Sequence, residues 1–251
     1  MAVVRTDYEG LGTKGVHPFL VGRSEARGVL DIVRAARQVH RTIGRRLVIS
    51  GHSQGGHASV FAAALAPSWT PELLLRGTAA FAPFAQGDEI FVPLSQSDQP
   101  TRLSGYITMI ARAFDAAYPK LGIPSLLSDR GRELYPLTIQ RCIPEITGAD
   151  TEFAQTAPRE LFRQGADLDP VTKAAAANDP TDLKVTSPLL VEQGSADTTV
   201  FPAFTGAMVE GLRKRGAKRL TYKLHDEVDH TTVVFGEPQD EAFSWTLKRL
   251  R

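Results

Sequence analysis

Hydrophobic positions along this chain follow two periods, one helical and one extended. Apolar residues recur every three or four positions between Glu25 and about His40, a spacing that predicts an amphipathic helix capped by Ser24. Short apolar runs predict strands at residues 2–5, 47–49, 76–83, 188–194 and 220–224. Because helices alternate with these runs, the pattern predicts an α/β fold with a mostly parallel, twisted sheet and right-handed crossovers.

The strand pattern stops between about Gln86 and Thr186. That stretch contains helical segments separated by proline and glycine, and no convincing run for a buried parallel strand. Helices are predicted here at residues 104–118, 152–163 and 170–178, and after the interruption at residues 202–215 and 239–250. The last helix is expected to turn Phe243, Leu247 and Leu250 inward. The chain therefore divides into a core of residues 1–85 and 187–251 and a mostly helical insertion of residues 86–186.

A serine stands at the corner between a predicted strand and a predicted helix, in the sequence Gly51-His52-Ser53-Gln54-Gly55. Glycines two positions before and after the serine let the backbone segments approach closely, and the corner lifts the serine side chain clear of the sheet. The following helix, which Pro67 is expected to end, directs N–H groups toward an oxyanion formed there. The pattern favours a nucleophilic Ser53 over a structural glycine turn.

A serine hydroxyl needs a neighbouring base and a carboxylate that orients the base. In the order serine, acid, histidine, both partners come from loops at the carboxyl ends of later strands. Asp197 and His230 stand in such loops, and we predict them as acid and base. The alternatives are His225 as base and Asp226, Asp229 or Glu192 as acid. His52 and His57 flank the nucleophile and lack the reach of a base, but either can line the pocket.

Charge and composition narrow the substrate class. The 251 residues carry 29 basic and 28 acidic side chains, a net charge of +1 that gives no field suited to nucleic acid or to an anionic membrane. We therefore expect a small, neutral or weakly charged substrate. The single cysteine, Cys142, cannot form an internal disulfide, and no histidine, cysteine and carboxylate residues have metal-ligand spacing. The sequence predicts neither a metal nor a cofactor.

The order Gly51-His52-Ser53-Gln54-Gly55-Gly56, Asp197, His230 resembles the α/β-hydrolase superfamily. Further stretches make the chain similar to the microbial secretory lipases of the lipase A type. They are Asp7-Tyr8-Glu9-Gly10, Leu30–Ala36, Pro71-Glu72-Leu73 and Ala196–Pro202. This resemblance covers nearly the whole chain. It implies an α/β-hydrolase fold and, through lipase or esterase activity, a place in lipid metabolism.

The implied chemistry is hydrolysis of carboxylic esters, with an acyl-enzyme on Ser53, His230 moving the proton and Asp197 holding the imidazolium. The backbone N–H of Gln54 is the implied oxyanion donor. The resemblance also implies that residues 86–186 form a cap, or lid, that shapes the acyl pocket. Pocket residues expected on this basis are Tyr8, His52, His57, Ile110 and Phe114. For Ile110 and Phe114, the alternative is that they only pack the cap onto the core.

In that family, further strands and the loop with the first oxyanion donor lie upstream of the Asp-Tyr-Glu-Gly segment. We therefore expect a family member that lacks its N-terminal portion. Residues 2–5 are then expected to pair directly with residues 47–49, leaving an exposed sheet edge that favours a homodimer. The first residues contain no signal peptide, and no apolar run approaches the about 18 residues of a membrane span. As written, the chain is expected in the cytoplasm, or outside the cell if an upstream segment has been lost.

Two other functions remain open at this point. The same residues serve a serine peptidase or an acyltransferase, because the serine, histidine and acid do not select the leaving group. With an incomplete oxyanion hole, the chain can instead be a catalytically impaired protein that binds an apolar ligand. Acyl length, alcohol and physiological substrate are not determined by the sequence.

Overall fold

The computed structural model describes residues 1–251, apart from the side chain of Val92. Its strands are β1 (Arg46–His52), β2 (Leu74–Phe81), β3 (Leu189–Gly194) and β4 (Leu220–His225). Its α-helices are α1 (Gly22–Val39), α2 (Gln54–Trp69), α3 (Gly87–Ser95), α4 (Leu103–Ala117), α5 (Ile123–Leu126), α6 (Asp129–Leu134), α7 (Ile143–Thr147), α8 (Asp169–Ala177), α9 (Pro202–Lys214) and α10 (Glu237–Leu250). Short 3-10 helices cover Pro119–Leu121, Tyr135–Ile139, Pro158–Leu161 and Thr232–Val234.

The four strands form one parallel sheet in the order β1-β2-β3-β4. Every residue of β3 is buried, as expected for a parallel strand covered on both faces. Since the strands run in one direction, the loops after β1, β3 and β4 leave the sheet at the same edge. The predicted parallel sheet with flanking helices is confirmed, and its topology brings residues that are distant in sequence to one edge.

Alternate side chains of β3 pack against different helices. Leu189 and Val191 join a core cluster with Met208 and Leu212 of α9. Leu190 joins a cluster with Ala242 and the partly buried Trp245 of α10. This alternation follows from the period of two in a strand and gives each face of the sheet its own apolar layer.

Helices α1 and α2 share an apolar layer with β1 and are joined by polar contacts at one end. Arg34 Nε donates to Glu72 Oε1 at 2.7 Å, and Trp69 Nε1 donates to Asp31 Oδ1 at 2.9 Å. Two stretches singled out in the sequence, Leu30–Ala36 and Pro71-Glu72-Leu73, therefore meet here. Pro67 does not end α2 as expected but lies inside its last turn. Proline has no backbone N–H, so at this position it removes one hydrogen bond near the end of the helix.

The inward face of α10 differs from the prediction. Phe243 is 52% exposed, so the expectation that it points inward is wrong. Ala242 is buried and Trp245 packs over β2, where a Cβ on Gly77 would lie 2.4 Å from the indole ring. The glycine in β2 makes room for the larger ring, and this fixes the rotation of the helix about its axis.

Residues 1–8, all of which the structure describes, form no strand. Val3 is 83% exposed, and the N–H of Tyr8 donates to Thr6 Oγ1 at 3.0 Å in a local turn. The side chains of Thr6 and Tyr8 lie against Gly28 of α1. The expected pairing of residues 2–5 with residues 47–49 is therefore wrong, since residues 2–5 are exposed and form no strand. A homodimer through the sheet edge stays a prediction.

The chain divides into two compact units. The sheet unit comprises Met1–Tyr8, Gly22–Gln86 and Asp179–Arg251, and the helical unit comprises Glu9–Val21 and Gly87–Asn178. Within the helical unit, α4 matches the helix predicted at residues 104–118. The helix predicted at residues 152–163 is wrong, since Pro158 forces Ala157 into an extended conformation and leaves only a 3-10 turn. That residues 86–186 act as a cap remains a prediction.

Candidate active site

Ser53 occupies a strained turn between β1 and α2. Its backbone has φ 56° and ψ −116°, values that cost a non-glycine residue on the order of 1–3 kcal/mol. Two contacts hold the turn. The N–H of Ser53 donates to the carbonyl of Phe81 at 2.9 Å, and its carbonyl accepts from the N–H of His57 at 3.0 Å. The strain presents the hydroxyl at the edge of the sheet, as expected for a nucleophile.

Gly51→Ala is expected to destabilise this turn. A Cβ at Gly51 would lie 2.0 Å from the carbonyl oxygen of Gly55, so either β1 or the start of α2 must shift, at a cost of about 1–3 kcal/mol. Urea unfolding gives the change in the free energy of unfolding. Gly206→Ala in α9 is the matched control, since nothing lies within 4 Å of its Cβ position. Equal unfolding midpoints for the two variants would contradict the steric explanation.

Ser53, His230 and Asp197 form one chain of hydrogen bonds. The Ser53 hydroxyl donates to His230 Nε2 across 2.9 Å, and His230 Nδ1 donates to Asp197 Oδ2 across 2.7 Å. Ser53 follows β1, Asp197 follows β3 and His230 follows β4, so the parallel sheet brings all three to one edge. The arrangement can move a proton from the hydroxyl to the imidazole while a carboxylate holds the ring.

The Asp197 carboxylate is held on both oxygens. Oδ1 accepts from the N–H groups of Thr199 and Val200, each at 2.8 Å. Oδ2 accepts from Gln193 Nε2 at 3.0 Å in addition to His230. Burial by itself would raise the pKa of Asp197, but the hydrogen bonds from His230, Val200 and Thr199 outweigh it and hold the pKa below its usual value. The carboxylate is therefore ionised at neutral pH.

The alternative base and acids have other partners. His225 Nε2 donates to Glu192 Oε2 at 2.6 Å. Asp226 accepts from the Ser195 hydroxyl at 3.1 Å, and Asp229 accepts from the N–H groups that follow it in its own loop. The geometry therefore separates His230 and Asp197 from the residues that competed with them in the sequence.

One group of side chains in the sheet unit has a spacing suited to a cation. Ligand atoms of Glu192, His225 and Glu241 lie within 4.8 Å of one another. His225 pairs with Glu192 inside the group, and Glu241 pairs with Lys223 outside it. Burial raises the pKa of Glu192. These pairs satisfy much of the charge without an ion.

A family model described as secretory lipase matches residues 1–251. The chain belongs to the secretory lipase family. The resemblance inferred from the sequence motifs is thus confirmed. No curated protein matches the chain significantly. No helix in the described part of the chain is both long and apolar enough to cross a membrane.

Solved structures share the fold at low sequence identity. Candida antarctica lipase A matches with a TM-score of 0.76 and 19% identity, over 91% of this chain and 56% of that one. The cell wall degrading esterase LipA of Xanthomonas oryzae matches with a TM-score of 0.73 and 19% identity, over 97% of this chain and 68% of that one. A Legionella pneumophila protein matches with a TM-score of 0.80 and 20% identity, over 98% of this chain and 69% of that one. The likeness confirms the α/β-hydrolase fold, and this chain spans little more than half the length of the Candida lipase.

The first turn of α2 carries the predicted oxyanion donor. Gln54 is the first residue of α2, and N–H groups in a first turn have no acceptor inside their helix. Tyr8 reaches the same turn, since its hydroxyl oxygen lies 3.7 Å from a Cβ placed on Gly55. Burial, with a smaller contribution from the charge of Glu25, raises the pKa of Tyr8 to about 12. The Tyr8 hydroxyl is therefore protonated and can donate.

His52 contacts the backbone of His230. Its Nε2 donates to the His230 carbonyl at 2.7 Å, and the two ring centroids lie 4.7 Å apart. Desolvation, and then the charge of His230, lowers the pKa of His52, which keeps its ring neutral beside the base. The sequence predicted His52 as a pocket residue. The structure adds a contact that orients the loop of His230.

His52→Leu is expected to lower kcat/KM for an ester about fivefold, because it removes one hydrogen bond worth about 1 kcal/mol from the loop that carries His230. Steady-state hydrolysis of a nitrophenyl ester measures this. His40→Leu, at an exposed residue, is the control and should leave kcat/KM unchanged. An unchanged rate in His52→Leu would show that the loop holds its position without this bond.

The remaining predicted pocket residues are buried to different degrees. His57 is 0% exposed, and its Nδ1 donates to Glu25 Oε2 at 2.7 Å. Ile110 and Phe114 both lie on α4 in the helical unit, where Phe114 is buried and meets Tyr118 edge to face at 5.7 Å. That packing suits the structural alternative for Phe114. A pocket role for these three residues remains a prediction.

Sequence reasoning missed Glu25. This carboxylate is 1% exposed and bonds to both Gln54 and His57. The available signal was its position in α1 beside the buried Ala26, on the apolar stripe of an amphipathic helix. A carboxylate on such a stripe must have a buried partner, but the pattern does not say which one.

Proposed function

We propose that this secretory lipase is a carboxylic ester hydrolase that acts through an acyl-enzyme on Ser53. The observation that carries the proposal is the hydrogen-bond chain from the Ser53 hydroxyl through His230 to the buried Asp197. Membership of a lipase family supports ester hydrolysis as the reaction. Together they favour an ester over the other acyl compounds that such a serine can attack.

In the first half of the reaction, Ser53 Oγ attacks the acyl carbon while its proton passes to His230 Nε2. The N–H of Gln54 stabilises the oxyanion, at the positive end of the α2 dipole. Collapse of the tetrahedral intermediate breaks the bond to the alcohol, which leaves with the proton from His230. In the second half, water attacks the acyl-Ser53 ester and gives its proton to His230, and the acid leaves as Ser53 regains its hydrogen.

Asp197 supports the base in both halves. Its Oδ2 accepts from His230 Nδ1, so Nε2 carries the lone pair that receives the serine proton. When the imidazole becomes positive, the adjacent negative carboxylate stabilises it. Four hydrogen bonds keep this carboxylate in place, which reduces reorganisation during proton transfer.

The proposed substrate is a small ester or lipid without strong charge. The net charge of +1 gives no field that would select an anionic substrate. We place the enzyme outside the cell, in keeping with the description of its family as secretory. The proposal includes residues 86–186 as a cap that binds the acyl chain, with Ile110 and Phe114 among its apolar side chains.

Fluorophosphonate labelling and a panel of nitrophenyl esters test the function together. The expected result is one label on Ser53 and turnover of esters, with acyl lengths from acetate to palmitate defining the preference. Labelling without turnover of any ester would favour the catalytically impaired binding protein. Faster turnover of an anilide than of the matching ester would favour a peptidase. Absence of both labelling and turnover in folded protein would overturn the proposal.

A further inference from the structure

A buried polar network lies beneath the Ser53 turn and has no part in the proton transfers. Glu25 of α1 and His57 of α2 are 1% and 0% exposed. Glu25 Oε1 accepts from the side-chain amide of Gln54 at 2.8 Å, and Oε2 accepts from His57 Nδ1 at 2.7 Å. A single carboxylate thus binds the first and the fourth residues of α2.

Apolar residues surround Glu25, so burying a carboxylate there carries a desolvation cost that packing alone does not explain. Ala26 and Leu30 of α1 and Phe61 of α2 belong to one buried apolar cluster, and the His57 ring packs on Phe61 at 4.7 Å. Apolar residues of similar size often serve a buried site as well as an ion pair does. The carboxylate therefore suits a site where direction matters, because hydrogen bonds fix orientation and apolar contacts do not.

The start of α2 needs such a constraint. Ser53 occupies the N-cap position, but its side chain does not cap the helix among the described residues, and its hydroxyl is engaged with His230. The first turn of α2 therefore lacks the side-chain hydrogen bond that an N-cap serine usually provides. Glu25 supplies two contacts to that turn from a neighbouring helix, one to its first residue and one to its fourth.

We propose that Glu25 is a positioning residue for the oxyanion donor. By binding the side chains of Gln54 and His57, it fixes the direction of the Gln54 backbone N–H toward the oxygen of the tetrahedral intermediate. The inference rests on the proposed ester hydrolysis. It predicts that loss of Glu25 weakens binding of the transition state more than binding of the substrate.

Glu25→Gln tests this with little change in shape. The new amide replaces one acceptor oxygen by a donor, so either the contact with Gln54 becomes donor against donor or His57 must change its tautomer. We expect kcat for a nitrophenyl ester to fall ten- to a hundredfold with KM within a factor of two. The affinity for a boronic acid, which forms a tetrahedral adduct on Ser53, should fall in parallel with kcat/KM. A merely structural role would leave the boronic acid affinity unchanged in the protein that remains folded.

Asp31→Asn is the matched control, because Asp31 also joins α1 to α2 but at Trp69, in the last turn of α2 and away from Ser53. It should lower thermal stability and leave kcat unchanged. Gln54→Ala keeps the backbone N–H and removes only the side-chain contact, so it repeats the test if Glu25→Gln fails to fold. Its effect and that of Glu25→Gln should be less than additive in the double variant.

The outcomes separate the two proposals. If the unmodified chain shows neither labelling nor ester turnover, the proposed function fails. If it turns over esters while Glu25→Gln and Gln54→Ala both keep kcat and boronic acid affinity within a factor of two, Glu25 has no positioning role. A rise in KM with kcat unchanged would also contradict that role, since it would place Glu25 in substrate binding.

Discussion

Ser53→Ala is expected to abolish fluorophosphonate labelling and to lower kcat for nitrophenyl esters by about 10⁶-fold. The variant loses the oxygen that we propose attacks the acyl carbon, and His230 then has no hydroxyl from which to take a proton. The strained turn itself survives, because its backbone is held by the contacts to Phe81 and His57. Intact-protein mass spectrometry after labelling, together with steady-state rates, measures both effects.

Ser50→Ala provides the control for this change. Ser50 lies three residues earlier in β1 and is exposed, so its removal should leave labelling and turnover as they are. A label that persists in Ser53→Ala, or a loss of rate shared equally by both variants, would place the nucleophile elsewhere.

Asp197→Asn is expected to lower kcat by about 10⁴-fold while the protein stays folded. The N–H groups of Thr199 and Val200 will hold the asparagine carbonyl oxygen where Oδ1 now lies. The amide nitrogen then takes the place of Oδ2 and presents hydrogens to His230 Nδ1. His230 must adopt the tautomer with its proton on Nε2, and that atom no longer accepts the serine proton. Steady-state ester hydrolysis measures the loss.

The acids that competed with Asp197 in the sequence supply the controls. Asp226→Asn and Asp229→Asn change carboxylates that bind Ser195 and a local loop, and each should keep kcat within a few-fold of the unmodified chain. If either of them proved as damaging as Asp197→Asn, the assignment of the acid would be wrong.

Asp197→Asn is also expected to change how the stability of the protein depends on pH. Because folding lowers the pKa of Asp197 below 3.8, its contribution is fully present above that pH and is lost as the pH falls through the folded-state value. Urea unfolding should therefore separate Asp197→Asn from the unmodified chain at pH 7 and bring the two together in strong acid. A gap that stays constant with pH would contradict the lowered pKa.

The sequence predicts the hydrogen-bond chain well because each member has a local signal. Ser53 stands between glycines at a strand end. Asp197 follows a short apolar run, and His230 follows a strand of alternating apolar and polar residues. Parallel topology does the rest, since it brings strand ends together whatever their distance along the chain. The fold class follows from the same alternation of strands and helices.

The errors arise where tertiary packing decides. Residues 2–5 have the composition of a strand but are exposed and form none, and Phe243 sits on a helical stripe whose rotation is set by Trp245 against Gly77. Glu25 was missed for the same reason. Its role depends on partners about 30 residues away in sequence, at Gln54 and His57, and no local period records such partners.

Ser53 and His230 are far apart in sequence, and this separation affects the order in which they appear during synthesis. Ser53 and His230 are separated by 177 residues, and the strand that positions His230 is the last of the sheet to leave the ribosome. A nascent chain thus carries the proposed nucleophile long before it carries the proposed base. Contacts between such distant residues form late, because the intervening chain must first be ordered. The proposed ester cleavage therefore cannot begin on the growing polypeptide until β4 and the loop after it have joined the sheet.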